Sequence, residues 1–190
     1  GEAEGFELER KLVQKARAGG FRLVGPNCIG VYSPRVSLPF INPKLFTGEA
    51  GSVAYISHSG GQLVNMISTG IRRGIKFSKA VSFGNGVDLD SVDFLEYLCA
   101  DAESKVIGAY IEGVKEGQRL LQIVKEIARK KPIVIWKGGR TEAGAKAVVS
   151  HTGALAGSDA IRTAALRQAG AIKVGSLEEL ADALLAFQDL

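Results

Sequence analysis

An α/β fold, with a parallel sheet covered by helices on both faces, is what this sequence predicts, and two observations carry the prediction. From about residue 50 onward, short apolar runs alternate five times with longer amphipathic stretches, and a repeated β-α alternation closes into a parallel sheet. The apolar runs, such as Val106-Ile107-Gly108-Ala109-Tyr110-Ile111 and Ile133-Val134-Ile135-Trp136, are continuous rather than alternating with polar residues. Strands buried on both faces read in that way. The chain has 190 residues, 46% of them hydrophobic and 23% charged, which suffices for a globular core.

Taken in order, residues 4–17 read as an amphipathic helix with Phe6, Leu8, Leu12, Val13 and Ala16 as its apolar positions, ended by Gly19-Gly20. A short strand over 22–24 then enters Gly25-Pro26-Asn27-Cys28-Ile29-Gly30, a turn in which proline sets φ and Gly and Asn tolerate positive φ. One helix and one strand cannot bury a core, so residues 1–31 are expected to be the last unit of a preceding domain. Residues 32–50 contain three prolines and no sustained period, and read as a linker. A single domain is expected over 51–190. Its strands are predicted at 52–57, 78–82, 106–111, 133–136 and 171–174, and its helices at 61–73, 91–100, 116–130, 160–169 and 177–188. The expected strand order, counted within this domain, is the flavodoxin-like 2-1-3-4-5.

Composition narrows the function classes. No apolar run approaches the roughly 20 residues of a membrane span, and the first residues, Gly1-Glu2-Ala3-Glu4, are acidic rather than a basic signal region. A cytoplasmic protein without a membrane partner is expected. Cys28 and Cys99 are too few for a disulfide framework and lack metal-site spacing. The net charge of +4 suits anionic ligands. The basic residues form no run interleaved with aromatics, so no nucleic-acid partner is expected.

Ligands of such a sheet bind beyond the carboxyl ends of its strands, near the switch in strand order. The loops richest in glycine and polar residues fall there: Ser57-His58-Ser59-Gly60-Gly61, Ser82-Phe83-Gly84-Asn85-Gly86, Glu112-Gly113 and Lys137-Gly138-Gly139. Ser57, Ser59, Gly60 and Gly61 join a strand to a helix N-terminus, whose unpaired N–H groups suit phosphate, although Ser59 equally suits a helix cap. His58 reads as a surface-exposed turn residue or a second catalytic candidate. Gly84 and Asn85 form a polar turn, and Asp90 suits a cap for the following helix. Glu112, at the end of an apolar strand, would hold one nitrogen of a histidine and leave the other free as a nucleophile, or would pair with Lys137 or Arg140. Lys137 and Arg140 would steer phosphate or stand as solvated loop charges. His151, in Ser150-His151-Thr152-Gly153-Ala154-Leu155-Ala156-Gly157, sits among small residues that leave an imidazole accessible.

Together these motifs resemble the nucleoside-diphosphate-forming acyl-CoA synthetases, the superfamily of succinyl-CoA synthetase, and within it the ADP-forming acetate-CoA ligase branch. The resemblance rests on Gly25-Pro26-Asn27-Cys28-Ile29-Gly30-Val31, residues 56–61, Gly84-Asn85, Tyr110-Ile111-Glu112-Gly113 and the stretch 137–157. It implies a reversible reaction in which acyl-CoA, phosphate and ADP become carboxylic acid, CoA and ATP through acyl phosphate and phosphohistidine. His151 matches the phosphorylated histidine and Glu112 the carboxylate that holds it. Ser57, Ser59 and Gly60 match the helix N-terminus that receives the phosphoryl group. Asn27 and Cys28 resemble the loop near the pantetheine end of CoA, and residues 1–31 would then be the end of a Rossmann-like CoA-binding domain. The resemblance also implies an ATP-grasp domain or beta subunit that binds ATP or ADP with Mg²⁺, an oligomeric parent enzyme, and no turnover by this stretch alone. His58 and Gly61 depart from the family's pattern, in which glutamine or arginine and then alanine or threonine are frequent. A non-catalytic flavodoxin-like regulatory or ligand-binding domain is the alternative, although a receiver would need acidic residues where this chain has Ser57-His58.

Overall fold

The computed structural model describes residues 3–38, 49–138 and 159–190. Among them six strands, β1 (Gly30–Tyr32), β2 (Val53–Ser57), β3 (Phe77–Ser82), β4 (Val106–Ile111), β5 (Ile133–Lys137) and β6 (Ile172–Val174), form one sheet in the order β1-β3-β2-β4-β5-β6. The helices are α1 (Ala3–Ala18), α2 (Gly60–Arg73), α3 (Ser91–Ala100), α4 (Gly117–Ala128), α5 (Asp159–Gln168) and α6 (Leu177–Gln188). Strands β2 to β6 pair in parallel, and β1 lies antiparallel to β3 at the edge. Without β1 the order is the expected 2-1-3-4-5.

Successive residues of a strand face opposite sides of a sheet, and each side here meets its own helices. Ala54 and Ile56 of β2 join Ile107 and Ala109 of β4 in a core closed by Leu95 of α3, Val124 of α4 and Leu166 of α5. Val53 and Tyr55 face the other way, into a core closed by Leu63, Met66 and Ile67 of α2 and by Leu180 and Leu184 of α6. The buried positions of α2, namely Leu63, Met66, Ile67 and Gly70, and of α4, namely Leu120, Ile123, Val124 and Ile127, follow the helical i, i+3, i+4, i+7 pattern. Their ends are set locally. Ser59 caps α2, which stops at Gly74 in the left-handed conformation. Asp90 caps α3 in a reciprocal capping box with Asp93, as its position suggested.

Two short segments differ from expectation. Residues 22–24 form no strand, because Leu23 finds other partners: its N–H donates to the Asp88 carboxylate at 2.8 Å, and its carbonyl accepts from Leu89. The strand at this end of the molecule is instead Gly30–Tyr32, which pairs with Ser82, Val81 and Ala80 and buries Tyr32 edge-on to Phe77, with ring centroids 6.5 Å apart. A three-residue strand has too little sequence to announce itself, and its pairing partner decides it. The start of the expected linker holds a 3₁₀ turn, Pro34–Val36, closed by hydrogen bonds between Ser33 and Leu38. Residues 39–48 lie outside the described residues. Among the described residues no helix is long and apolar enough to cross a membrane.

Candidate functional site

The carboxyl ends of β2, β3 and β4 open into a cleft of about 360 Å³ whose walls include Asn27, Cys28, His58, Ser59, Gly60, Gly61, Gly84, Asn85 and Glu112. Eight of these nine were assigned to binding or catalysis from sequence, and His58, the ninth, was read as either an exposed turn residue or a second catalytic candidate. His151 and Arg140 lie outside the described residues. Ser57 does not line the cleft: its hydroxyl is buried, donating to the Ser59 carbonyl at 2.7 Å and accepting from the Ser59 N–H at 3.1 Å. It shapes the turn that presents α2. Ser59 Oγ accepts from the Gln62 N–H at 3.3 Å, and the first turn of α2 faces the cleft through Gly60 and Gly61. Such a helix end carries partial positive charge and unpaired N–H donors.

A second wall comes from far upstream. The Gly25–Ile29 turn docks on the loop after β3, where the Pro26 carbonyl accepts from Asn85 N–H at 3.0 Å and the Gly25 carbonyl from Val87 at 3.1 Å. Asn85 bridges further, accepting from Asn27 and donating through its side chain to Glu9 of α1 at 2.6 Å. Two glycines permit this approach. Gly84 sits at φ +54°, and a Cβ there would stand 2.2 Å from the Pro26 carbonyl oxygen. A Cβ on Gly60 would meet the Ile29 side chain at 2.6 Å, so the turn reaches the α2 N-terminus only because that position is bare. The Cys28 thiol donates to the Val24 carbonyl at 3.4 Å, and burial raises its pKa above the ordinary thiol value.

Glu112 follows β4 two residues after Tyr110, and a Cβ on Gly138 would meet both the Tyr110 phenol and the side chain that bears the Glu112 carboxylate. Burial first, and then that carboxylate, push the Tyr110 pKa above its usual value, so the phenol remains a donor. Lys137, expected to steer anions, is buried at the end of β5 and donates to the backbone carbonyls of Glu112 and, at 2.7 Å, Gly138. Its ammonium therefore fastens the two strand ends side by side. Lys115 donates to the carbonyls of Asn85 and Gly86 and closes the rim.

His58 is not the exposed turn residue anticipated. It is half-buried, its ring packs edge-on to Phe83 with centroids 4.4 Å apart, its N–H donates to the Tyr110 carbonyl at 3.1 Å, and its Nδ1 accepts from the Glu112 N–H at 3.4 Å. Burial, with Lys137 and Lys115 nearby, lowers its pKa to about 4 despite an opposing contact with the Tyr110 carbonyl. The imidazole is neutral at physiological pH. Tyr110 was not among the candidates, although its period-2 spacing to Glu112 was visible. Among the described residues no group of three or more His, Cys, Asp or Glu could hold a metal ion.

A doubly wound parallel sheet with its cleft at the strands' carboxyl ends, beside a capped helix N-terminus, defines the flavodoxin-like class. Within it, residues 50–187 match the family described as the succinyl-CoA ligase like flavodoxin domain, and the chain belongs to that family. It is 44% identical over 179 residues to an ADP-forming acetate-CoA ligase I of Archaeoglobus fulgidus, covering 94% of this chain and 26% of that protein. It is 40% identical over 185 residues to an ADP-forming acetate-CoA ligase II subunit alpha of Pyrococcus furiosus, covering 97% of this chain and 40% of that subunit. Among solved structures it resembles an acetyl-coenzyme A synthetase 1 of Candidatus Korarchaeum cryptofilum, described as dinucleotide forming and in complex with phosphate and ADP. That match has a TM-score of 0.87 at 36% identity and covers 96% of this chain and 39% of that one. The chain thus spans 26% of the first of these relatives and 40% of the second.

Proposed function

We propose that this chain is the part of an ADP-forming acyl-CoA synthetase, an acid-thiol ligase, in which acyl phosphate forms and its phosphoryl group passes to His151. The observation that carries the reading is the meeting, in one cleft, of the α2 N-terminus, the Asn27-Cys28 turn and Glu112. A phosphate oxygen attacks the thioester carbonyl of acyl-CoA, and the CoA sulfur leaves and takes a proton. A ring nitrogen of His151 then attacks phosphorus, releasing the carboxylate. Finally the terminal oxygen of ADP takes the phosphoryl group, giving ATP and neutral histidine.

Each group has a physical task. The N–H groups of Gly60 and Gly61 hold phosphoryl oxygens at the positive end of α2, which Ser59 caps while its own N–H is taken by the Ser57 hydroxyl. Gly84 and Asn85 carry the substrate-facing turn. Asn27 and Cys28 stand where the sulfur end of CoA enters, and the CoA thiol supplies the activated thioester. Cys28, with its thiol bonded to a carbonyl and its pKa raised, is suited to packing against CoA and not to attacking the thioester. Glu112, at the end of β4, holds one nitrogen of His151 and leaves the other nucleophilic. The nucleotide and its Mg²⁺ would be held by an ATP-grasp domain or a beta subunit, the partner in the assembled enzyme.

The test is phosphoryl labelling of the full-length protein, together with that partner where it is a separate chain, using γ-labelled ATP and Mg²⁺. Acid-labile, alkali-stable label is expected, and His151→Ala abolishes it. Label that persists in that variant overturns the role of His151. An intact, nucleotide-binding enzyme that takes no label would favour a regulatory domain instead.

A further inference from the structure

We infer that His58 is a substrate-binding residue of this cleft, its Nε2–H donating a hydrogen bond to an oxygen of the bound phosphate or acyl phosphate. The inference rests on the reading above, in which this cleft receives phosphate. The ring is positioned by three contacts: its own backbone N–H on the Tyr110 carbonyl, its edge-on packing with Phe83, and its Nδ1 accepting from the Glu112 N–H. A neutral imidazole has one donor and one acceptor nitrogen, so a ring that accepts at Nδ1 carries its proton on Nε2. Among the described residues Nε2 makes no hydrogen bond, and His58 lines the cleft, so Nε2 is the ring nitrogen left to meet a ligand there.

The same geometry separates the two histidines chemically. A histidine accepts a phosphoryl group through a nitrogen lone pair, and the lone pair of His58 is committed to the Glu112 N–H. His58 is thereby a donor to phosphate and a poor phosphoryl acceptor. The charged groups around it act in the same direction: Lys137 and Lys115 disfavour a cation at His58. The site so built adds a neutral donor beside the helix N-terminus and leaves the bound phosphoryl group free to depart.

Two variants in the full-length protein test this, His58→Ala and His58→Gln, because the glutamine amide nitrogen occupies the place of Nε2. Binding of labelled inorganic phosphate is measured by equilibrium dialysis, and KM for phosphate and for ADP in ATP synthesis. His58→Ala is expected to weaken phosphate binding and raise KM for phosphate by roughly 10- to 100-fold, the usual range for losing a hydrogen bond to a charged group. KM for ADP stays unchanged, and His58→Gln restores most of the loss. Equal phosphate affinity in His58→Ala and wild type overturns the inference, as does equal impairment in both variants, which would make the ring a packing element only. Should the alanine variant not fold, ¹⁵N-histidine spectra of the wild type decide: phosphate shifts the Nε2–H resonance of His58 or the inference fails. Phosphate binding that depends on His58 in a protein unable to make ATP from acyl-CoA would retain this inference and remove the ligase reading.

Discussion

His58 has small and polar neighbours along the chain, Ser57, Ser59 and Gly60, yet in the fold it meets Phe83 and the end of β4. Those contacts carry a pH dependence. Unfolded, this imidazole takes its proton near 6.5, and folded near 4, so between those values the unfolded chain binds more protons. Stability is fully present above about pH 6.5 and falls as the pH drops toward 4, by up to about 3 kcal/mol from this group. Urea unfolding at about pH 7 and about pH 5 is expected to show a smaller difference in His58→Gln than in the wild type. Asp88 is a second such case. Its nearly buried carboxylate holds Arg22 and the Leu23 N–H at 2.8 Å each, and the Arg22 guanidinium first of all keeps its pKa below the usual carboxylate value. Asp88→Ala leaves the Leu23 N–H without its acceptor and is expected to cost roughly 1–3 kcal/mol, read as a lower urea midpoint.

Helix ends were legible because capping is local chemistry. Ser59 and Asp90 bond N–H groups two or three residues ahead, and no distant partner is needed. The strands β1 and β6, three residues each, exist through their neighbours, and the first was missed while a strand was expected at 22–24. The turn just before β1, Gly25–Ile29, was legible as a turn, but its docking on Gly84 and Asn85 depends on chain 58 residues away. Gly84→Ala tests that docking. A side chain there meets both an unfavourable φ and the Pro26 carbonyl, and is expected to destabilise the protein by at least about 2 kcal/mol. In the assembled enzyme KM for CoA should rise with it, and KM unchanged would separate this turn from CoA binding.

At the scale of the whole molecule, the sheet order follows from covering each face with helices. Leu184 of α6 is fully buried, and it lies over Gly108, where a Cβ would stand 2.9 Å from its Cδ1. The last helix is therefore seated directly on the central strand β4, between the cleft's Glu112 and the opposite end of the sheet. Leu184→Ala is expected to cost about 2–5 kcal/mol in urea unfolding with an unchanged m-value, and a milder loss would mean that α6 collapses into the gap.

By itself the sequence determined the fold class, the parallel order of the main strands, the helix caps and eight residues of the cleft, because apolar periodicity, capping and loop position act over a few residues. Only the tertiary structure decided that β1 adds an antiparallel edge, that Ser57 turns inward, that Lys137 ties two strand ends together, and that His58 is a neutral wall of the cleft. Each of those depends on a partner distant in sequence, and burial and hydrogen bonding to such a partner exist only once the strands have been laid side by side.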